Sequence, residues 1–382
     1  MRVTRAGIIE DGRAVALDFA DGVRARFHAV WLRDNVLDAA ARAPRSGQRL
    51  VSVLDLPERA RLTEAEADGT AVAFAFAPDG RRLRFPAAWL HANRYDGTPQ
   101  RPPGWTAPGI TLWDAATLPT LPTATFDALR SDQRTLAAWL GAVRRYGVAH
   151  LSGLPCESGR VCDVAALFGY VRETNYGRFF DVRAEVDPDN LACTNRGLQA
   201  HTDNPYRDPV PTLQILACLD NDVAGGESIA VDGFMAATLL RAESADGFAL
   251  LAGHCARFEY AGSRGVRLRS RRPMVELDPD GALRAVRCNN RSVAPLLDVP
   301  YERMEAYYAA YRRFVALIDS KDLAVRFRLA PSEAFLLDNT RVLHARTAFS
   351  SGGRRWLQGC YADKDGLLST LAAIEEEMGT AV

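Results

Sequence analysis

The sequence has no long hydrophobic run and no excess of charge of either sign. No apolar stretch approaches the roughly 20 residues that a membrane-spanning helix needs. Acidic residues also interrupt the N-terminal stretch, where a secretory signal would be continuously hydrophobic. The 47 basic and 47 acidic side chains cancel, which removes the electrostatic footprint of a general nucleic-acid-binding protein. We therefore expect a cytoplasmic protein that binds neither membranes nor nucleic acids.

Cysteine is scarce and irregularly spaced. The seven cysteines form no CxxC pair and no regular framework, so neither a disulfide scaffold nor a cysteine-rich zinc site is expected. The simplest interpretation is that they are reduced thiols in the core.

The chain of 382 residues is long enough for a large domain and a small one. Residues 1–96 contain short apolar runs separated by DG and PDG turn signals, which predicts a small β-rich domain. Residues 97–122 are rich in proline, which disfavours regular structure, and we interpret them as a linker. Residues 123–382 form the second and larger predicted domain.

The second part of the chain alternates predicted strands with a few helices. An amphipathic helix is predicted between an N-cap at Ser131 and a C-cap at Gly147. Strands are predicted at 211–219 and 228–231, and a buried strand that runs into a turn is predicted at 335–343. Because regular βαβ alternation is missing, we expect a mainly β fold with an antiparallel core and flanking helices.

A possible metal site begins with the motif AHTDNPY, in which His201 and Asp203 stand two residues apart. If this stretch is extended, an imidazole and a carboxylate point to the same face. His344, much later in the chain, would complete a set of two histidines and one carboxylate, which leaves coordination positions open on Fe(II). A short HxD match is common by chance. The alternative is a loop histidine at the first position and a core histidine, bonded to the backbone, at the last.

Longer segments carry a more specific signal than the HxD motif does. They are NLACTNRGLQAHTDNPYRDPVPTLQILACLDNDVAGGESIAVDGF, RCNNRSVAP, LLDNTRVLHAR and RRWLQGCYAD in the second part of the chain, and WLRDN and SGQRLVSVLDLP in the first. With these segments the chain resembles the γ-butyrobetaine and trimethyllysine dioxygenase branch of the Fe(II)/2-oxoglutarate-dependent oxygenases. The resemblance covers nearly the whole chain.

This resemblance implies a double-stranded β-helix (jelly-roll) catalytic domain, preceded by a small β-rich domain and assembled as a homodimer. By motif, His201, Asp203 and His344 match the iron ligands, and Arg355 matches the residue that binds the distal carboxylate of 2-oxoglutarate. A planar guanidinium can hold a carboxylate with two parallel hydrogen bonds, which agrees with that role. The implied cofactor and cosubstrates are Fe(II), 2-oxoglutarate and O2. Iron halogenases of this superfamily lack the carboxylate ligand, which makes room for a halide. Because Asp203 is retained here, the resemblance disfavours halogenation.

In the family branch, an aromatic cage holds a trimethylammonium group by cation–π attraction. Tyr176, Phe180 and Tyr361 match cage positions, whereas Cys193 stands where the betaine hydroxylases usually have tyrosine. Taken singly, each aromatic residue is better explained by core packing, and only the motif alignment reverses that interpretation. The altered wall at Cys193 weakens the expectation of a quaternary ammonium substrate.

The other end of a zwitterionic substrate needs hydrogen-bond donors for an anion. Asn204, Asn290 and Arg291 are the candidates, although asparagines in turns often bond their own backbone. The HTDN and NNR pattern resembles that of both the γ-butyrobetaine and the 2-(trimethylammonio)ethylphosphonate dioxygenases, and the altered cage makes 2-(trimethylammonio)ethylphosphonate our preferred substrate. The alternatives are γ-butyrobetaine and another small amino or phosphonic acid. Hydroxylation, radical rearrangement and desaturation all remain open as outcomes.

The N-terminal domain departs from the family. Related chains carry a zinc site with cysteines after WLRDN, but Val36, Asp38, Ala41 and Asn93 stand at the corresponding positions here. Valine and alanine cannot ligate zinc, so no structural zinc is expected.

A catalytically silent binding protein with the same fold is the remaining alternative. It would be favoured by a broken iron or 2-oxoglutarate set, and that set is intact.

Overall fold

The computed structural model describes residues 1–97, 101–183, 195–262, 264–350 and 353–379. The chain divides into two compact units, Met1–Gln100 and Arg101–Val382. The regular elements of the first unit are the strands β1 (Val3–Ile9), β2 (Ala14–Phe19), β3 (Arg24–His28), β4 (Arg61–Ala67), β5 (Ala71–Ala77) and β6 (Arg82–Pro86), and the helices α1 (Ala29–Asp34) and α2 (Ala87–Ala92).

The first unit consists of two three-stranded antiparallel sheets, β1-β2-β3 and β4-β5-β6, around one aromatic core. The short apolar runs of residues 1–96 include VRARFHAVWL and RLRFPAAWL, which the sequence pattern predicts as strands, and this prediction is wrong for the second half of each. There the chain forms α1 and α2, which bury Ala29 with Leu32 and Ala87 with Leu90. A spacing of three residues between buried positions suits a helix and not a strand.

The second unit contains the remaining regular elements. Its strands are β7 (Thr123–Thr125), β8 (Val148–Ser152), β9 (Phe180–Arg183), β10 (Leu198–His201), β11 (Leu213–Asn221), β12 (Ser228–Asp232), β13 (Cys255–Tyr260), β14 (Leu268–Pro273), β15 (Val275–Leu277), β16 (Leu283–Val286), β17 (Val325–Phe327), β18 (Ala334–Asp338), β19 (Val342–Arg346) and β20 (Arg355–Ala362). Its helices are α3 (Phe126–Ser131), α4 (Gln133–Tyr146), α5 (Val161–Ala166), α6 (Gly233–Glu243), α7 (Ala245–Gly253), α8 (Met304–Ile318) and α9 (Lys364–Glu377). Within the described ranges, every helix is too short or too polar to cross a bilayer.

Two sheets form the centre of the second unit. A six-stranded sheet has the order β7-β8-β18-β11-β20-β9, and a four-stranded sheet has the order β10-β19-β12-β17. Apolar side chains from both sheets, including Leu337 and Leu357 from the first and Ala230 and Val342 from the second, pack into one core cluster. This sandwich confirms the expected jelly-roll fold, with helices packed outside it.

The limits of two predicted elements change in the structure. Helix α4 is capped by Asp132 rather than Ser131, because the Asp132 carboxylate accepts hydrogen bonds from the backbone N–H groups of Arg134 and Thr135. Gly147 is the C-cap, in the left-handed conformation that favours glycine. The strand predicted at 335–343 is two strands, β18 and β19, joined by a tight turn.

The proline-rich segment 97–122 differs from the linker that its composition predicts. From residue 101 it belongs to the second unit. Trp113 is almost fully buried there, and its indole N–H donates to the Tyr146 carbonyl at 2.6 Å. Proline excludes regular structure, but it does not prevent the aromatic and aliphatic side chains between the prolines from joining a core.

A buried ion pair connects this segment to the core of the second unit. Arg341 and Asp232 are both almost fully buried, and the guanidinium donates to the two carboxylate oxygens at 3.0 and 2.8 Å. The remaining donors of Arg341 reach the backbone carbonyls of Thr111 and Arg145. The Arg341 side chain, in the turn before β19, therefore connects the end of β12, α4 and the proline-rich segment.

We predict that Arg341→Leu lowers the free energy of unfolding by about 3–5 kcal/mol, because it leaves the Asp232 carboxylate buried without its cation. Urea unfolding followed by tryptophan fluorescence measures this loss. The exposed Arg326 is the control, and Arg326→Leu should change the value by less than about 0.5 kcal/mol. A loss below about 1 kcal/mol for Arg341→Leu would contradict the prediction.

Candidate active site

A cavity of about 560 Å³ lies in the second unit. Both sheets contribute to its wall, with His201 and His344 from the four-stranded sheet and Leu216, Phe335 and Leu357 from the six-stranded sheet. A partly apolar cavity with a few convergent polar groups is the usual form of a small-molecule site.

Strand pairing brings the two predicted histidine ligands together. His201 ends β10 and pairs directly with His344 in β19, so their rings lie 4.3 Å apart between centroids. Asp203 follows just beyond the end of β10, and its Oδ1 lies 3.3 Å from His201 Nε2. Potential ligand atoms of the three residues all lie within 4.8 Å of one another. The structure therefore assembles the set of two histidines and one carboxylate.

The backbone of Asp203 is fixed by Asn339, a buried residue in the turn between β18 and β19. The Asp203 N–H donates to Asn339 Oδ1 at 2.7 Å, and Asn339 Nδ2 donates back to the Asp203 carbonyl at 2.9 Å. The same turn leads into the strand that carries His344. One short segment thus positions the carboxylate and the second histidine.

The protonation states of the ligand set suit a divalent cation. His201 Nδ1 lies 2.8 Å from the Gln199 carbonyl, which makes it the N–H donor and leaves Nε2 as a lone-pair ligand. Burial lowers the pKa of His344 to about 3, so this ring is neutral at pH 7. Burial alone would raise the pKa of Asp203, but the close contact with His201 and the positive charge of Arg291 hold it well below its usual range.

An unsatisfied atom supports a ligand role for His344. Its Nδ1 is buried and has no hydrogen-bond partner in the described part of the chain, which is costly unless another group binds there. Two imidazoles beside one carboxylate are the donor set that Fe(II) oxygenases use. The residues present therefore fit the expected iron.

Arg355 begins β20 and places a buried positive charge on the cavity wall. Its Nε is buried without a partner among the described residues, and its Nη2 donates a long hydrogen bond of 3.4 Å to the Gly226 carbonyl. Burial lowers its pKa to about 10, so the guanidinium stays charged at neutral pH. Such an incompletely satisfied guanidinium fits the distal carboxylate of 2-oxoglutarate.

The two neighbouring arginines differ from each other. The Arg354 side chain is 82% exposed and pairs with Asp220, which agrees with a surface charge. Arg346 is buried, lines the cavity and lies over the Phe349 ring, which it shares with Arg355. It is thus a charge of the cavity itself and not a surface group.

Five aromatic rings gather on one side of the cavity. Of the predicted cage positions, Phe180 stacks on Tyr361 at 5.1 Å and lies 6.1 Å from Tyr176, between ring centroids. Tyr206 and Tyr260 complete the cluster.

The sequence interpretation missed Tyr206 and Tyr260. For Tyr206 a signal was present, since it lies two residues after Asn204 in the same motif. Tyr260 comes from a hairpin strand, β13, and no local pattern marks it. Cys193, the predicted altered cage wall, lies outside the described residues.

The predicted anion donors divide into two groups. Asn204 and Arg291 line the cavity, and Asn204 Nδ2 is buried without a partner among the described residues. Asn290 is exposed, donates to Gln199 Oε1 and does not line the cavity, which corrects its predicted role. Its neighbour Asn289 lines the cavity instead and donates to the Thr202 carbonyl. Consecutive residues point in different directions, and the motif could not tell which asparagine faces inward.

We predict that Arg355→Leu weakens 2-oxoglutarate binding by about 10- to 100-fold, the loss expected for a charge-assisted hydrogen bond of about 1.5–3 kcal/mol. The affinity is measured by adding 2-oxoglutarate to the Fe(II)-loaded protein under anaerobic conditions and following the visible charge-transfer band. Arg354→Leu is the control. The Arg354 side chain is exposed, so this substitution should leave the affinity for 2-oxoglutarate unchanged. Equal affinities for the two variants would overturn the assignment of Arg355.

Comparison with known proteins agrees with this geometry. The taurine catabolism dioxygenase TauD, TfdA family matches residues 110–361, and the N-terminal domain of γ-butyrobetaine hydroxylase-like proteins matches residues 8–91. The γ-butyrobetaine dioxygenase of Pseudomonas sp. (strain AK-1) is 34% identical over 94% of both chains. The human γ-butyrobetaine dioxygenase is 28% identical over 98% of both. The mitochondrial trimethyllysine dioxygenase of Gallus gallus is 29% identical over 94% of this chain and 85% of its own.

A solved structure shares part of the fold of this chain. Asparagine oxygenase in complex with Fe(II), 2S,3S-3-hydroxyasparagine and succinate superposes with a TM-score of 0.50 and 19% identity, over 62% of this chain and 83% of the other. The family match, the relatives and the assembled ligand set lead to one conclusion. The chain belongs to the TauD, TfdA family, in its γ-butyrobetaine and trimethyllysine dioxygenase branch, and is an Fe(II)/2-oxoglutarate-dependent dioxygenase.

Proposed function

We propose that this enzyme oxidises a C–H bond of a small trimethylammonium acid, with γ-butyrobetaine as the first candidate. The observation that carries the proposal is the composition of one cavity wall. Aromatic rings and anion donors both adjoin Asp203, so a short zwitterion bound between them would lie next to the metal ligands. The names of the most similar relatives also support a trimethylammonium substrate.

The aromatic side suits a cation that cannot donate hydrogen bonds. The Tyr176 and Tyr206 hydroxyls lie 2.9 Å apart, and Tyr206 donates to Asn204 Oδ1 at 2.6 Å. The Tyr361 hydroxyl donates to Asp203. Because these hydroxyls are engaged with one another and with neighbours, the rings offer mainly their faces, which attract a methylated ammonium group.

The polar side suits an anion. The hydrogen bond from Tyr206 orients the Asn204 amide, so that Nδ2 remains as the free donor at the cavity. Asn204 adopts a left-handed backbone conformation, with φ of 53°, which asparagine tolerates better than most residues. Arg291 adds a positive charge to the lining of the cavity. Together they could bind a carboxylate or a phosphonate.

The cosubstrate and metal residues complete the proposed arrangement. Fe(II) and 2-oxoglutarate, when bound by His201, Asp203, His344 and Arg355, supply the O2-dependent oxidation of an unactivated C–H bond. The remaining contribution of the protein is to hold one carbon of the substrate close to that centre and to exclude water. Binding at both ends of the zwitterion fixes which carbon this is.

The choice between the two acids rests on different observations. The HTDN and NNR motifs fit both acids, and the cysteine at 193 favours 2-(trimethylammonio)ethylphosphonate. The relative with 34% identity, a γ-butyrobetaine dioxygenase, favours the carboxylate. We rank γ-butyrobetaine first and retain the phosphonate because Asn204 and Arg291 can donate to either anion. The homodimer and the cytoplasmic location remain predictions.

Substrate-dependent succinate formation tests the proposal. The purified enzyme with Fe(II) and 2-oxoglutarate should form succinate much faster when γ-butyrobetaine or the ethylphosphonate is added, together with a product heavier by one oxygen. Proton and phosphorus NMR would then identify the oxidised carbon. If neither zwitterion stimulates succinate formation, while a small acid without a trimethylammonium group does, the proposed substrate class is wrong.

The cage has its own test. We predict that Tyr176→Leu lowers kcat/KM for γ-butyrobetaine by about 2- to 30-fold, which corresponds to about 0.5–2 kcal/mol of cation–π attraction. The preference for γ-butyrobetaine over its neutral tert-butyl analogue, 5,5-dimethylhexanoate, should fall by the same factor. Tyr170→Leu is the control, because Tyr170 is 90% exposed. An unchanged preference would show that the Tyr176 ring does not recognise the charge.

A further inference from the structure

A glutamine lies near the start of β11, a largely buried strand of the six-stranded sheet. Gln214 in β11 is only 1% exposed, and its chain neighbours Leu213 and Ile215 are fully buried. Burying an amide in such surroundings is costly unless hydrogen bonds compensate. An apolar residue would suit the core better, so the amide needs a specific explanation.

The strand register points Gln214 at an iron ligand. Gln214 pairs directly with Tyr361 of β20, and directly paired residues project to the same face of a sheet. Gln214 Nε2 donates to Asp203 Oδ2 at 2.7 Å, and the Tyr361 hydroxyl donates to the same oxygen at 2.9 Å. A charged carboxylate only accepts hydrogen bonds, which fixes Nε2 as the end of the amide that faces Asp203.

The two carboxylate oxygens of Asp203 are therefore not equivalent. Oδ2 receives both donors, whereas Oδ1 lies 3.3 Å from His201 Nε2, at the ligand set. The amide oxygen of Gln214 is buried without a partner among the described residues. The strand thus retains an amide that is only half satisfied, which favours a functional role for its single bond over a purely structural one.

We propose that Gln214 is a positioning residue for the metal. Together with Tyr361 it occupies Oδ2, so that Asp203 offers Oδ1 alone to Fe(II) and does not take a second coordination position. That position then stays available for 2-oxoglutarate or O2. The inference concerns the metal centre and does not depend on which acid is the substrate.

Replacement of Gln214 by methionine tests this role, because methionine keeps the length of the side chain and removes the donor. We expect Gln214→Met to weaken Co(II) binding by about 10- to 100-fold. The visible absorption of the Co(II) protein should change, and the charge-transfer band of the anaerobic Fe(II) and 2-oxoglutarate complex should weaken or shift. These spectra report on the ligands without turnover.

A second buried glutamine provides the matched control. Gln358 in β20 is also 1% exposed and bonds Gly159, Ser158 and Asp181, but it does not touch Asp203. Gln358→Met should cause a comparable structural loss, measured as a fall in Tm, and leave the Co(II) affinity and both spectra unchanged. If Gln214→Met matches wild type in affinity and spectra, or if Gln358→Met alters them equally, the inference is overturned.

Tyr361→Phe provides a second variant should Gln214→Met not fold. It keeps the ring that stacks on Phe180 and removes only the hydroxyl bond to Asp203. Loss of either donor frees Oδ2, so the Co(II) spectrum should change in the same direction as in Gln214→Met. An unaltered Co(II) spectrum and affinity for Tyr361→Phe would equally reject the proposed role. Co(II) binding by the wild-type protein is the reference. If the wild type binds Co(II) and neither variant differs from it, the role of Gln214 is rejected, whereas a wild type that does not bind Co(II) would contradict the metal site itself.

Discussion

The direct antiparallel pairing of His201 with His344 is the constraint on which the site depends. A slip of one residue in a sheet turns every side chain to the opposite face, and either imidazole would then leave the cavity. The register is set by the burial of apolar neighbours such as Leu343 and Ala345, whose alternation leaves His344 facing inward. Side chains alternate between the two faces of β19. One face packs against the core and the other carries the metal ligand His344, so the same register serves both packing and metal binding.

Several of the buried polar atoms that lack partners among the described residues lie in the wall of the cavity. His344 Nδ1, Arg355 Nε, Asn204 Nδ2 and Gln214 Oε1 are all buried without partners among the described residues, and their side chains all line this cavity. Each such atom costs stability in a folded chain. Their concentration at one place is typical of a site arranged for ligands, where the local rules of stability are broken for function.

Much of the fold was predictable because it follows from local patterns. Helix α4 shows its apolar stripe and its glycine C-cap in the sequence, and several strands of the second unit show their apolar runs. The errors occur where several local interpretations compete. Asp132 and Ser131 are both good caps, and only the backbone geometry selects Asp132. The proline-rich segment was misjudged because composition forbids regular structure without forbidding burial, as Trp113 shows.

The sequence by itself determined the chemistry of the metal centre. The ligand residues, Arg355 and the long segments typical of the family each lie in a continuous stretch of sequence and can be recognised without the structure. Only the tertiary structure decided which neighbours serve that centre. Tyr260 and Gln214 reach the cavity through strand pairing, and Asn289 rather than Asn290 faces it because of the local path of the backbone. Such choices depend on register and on side-chain direction between residues far apart in the chain, and no local pattern encodes them.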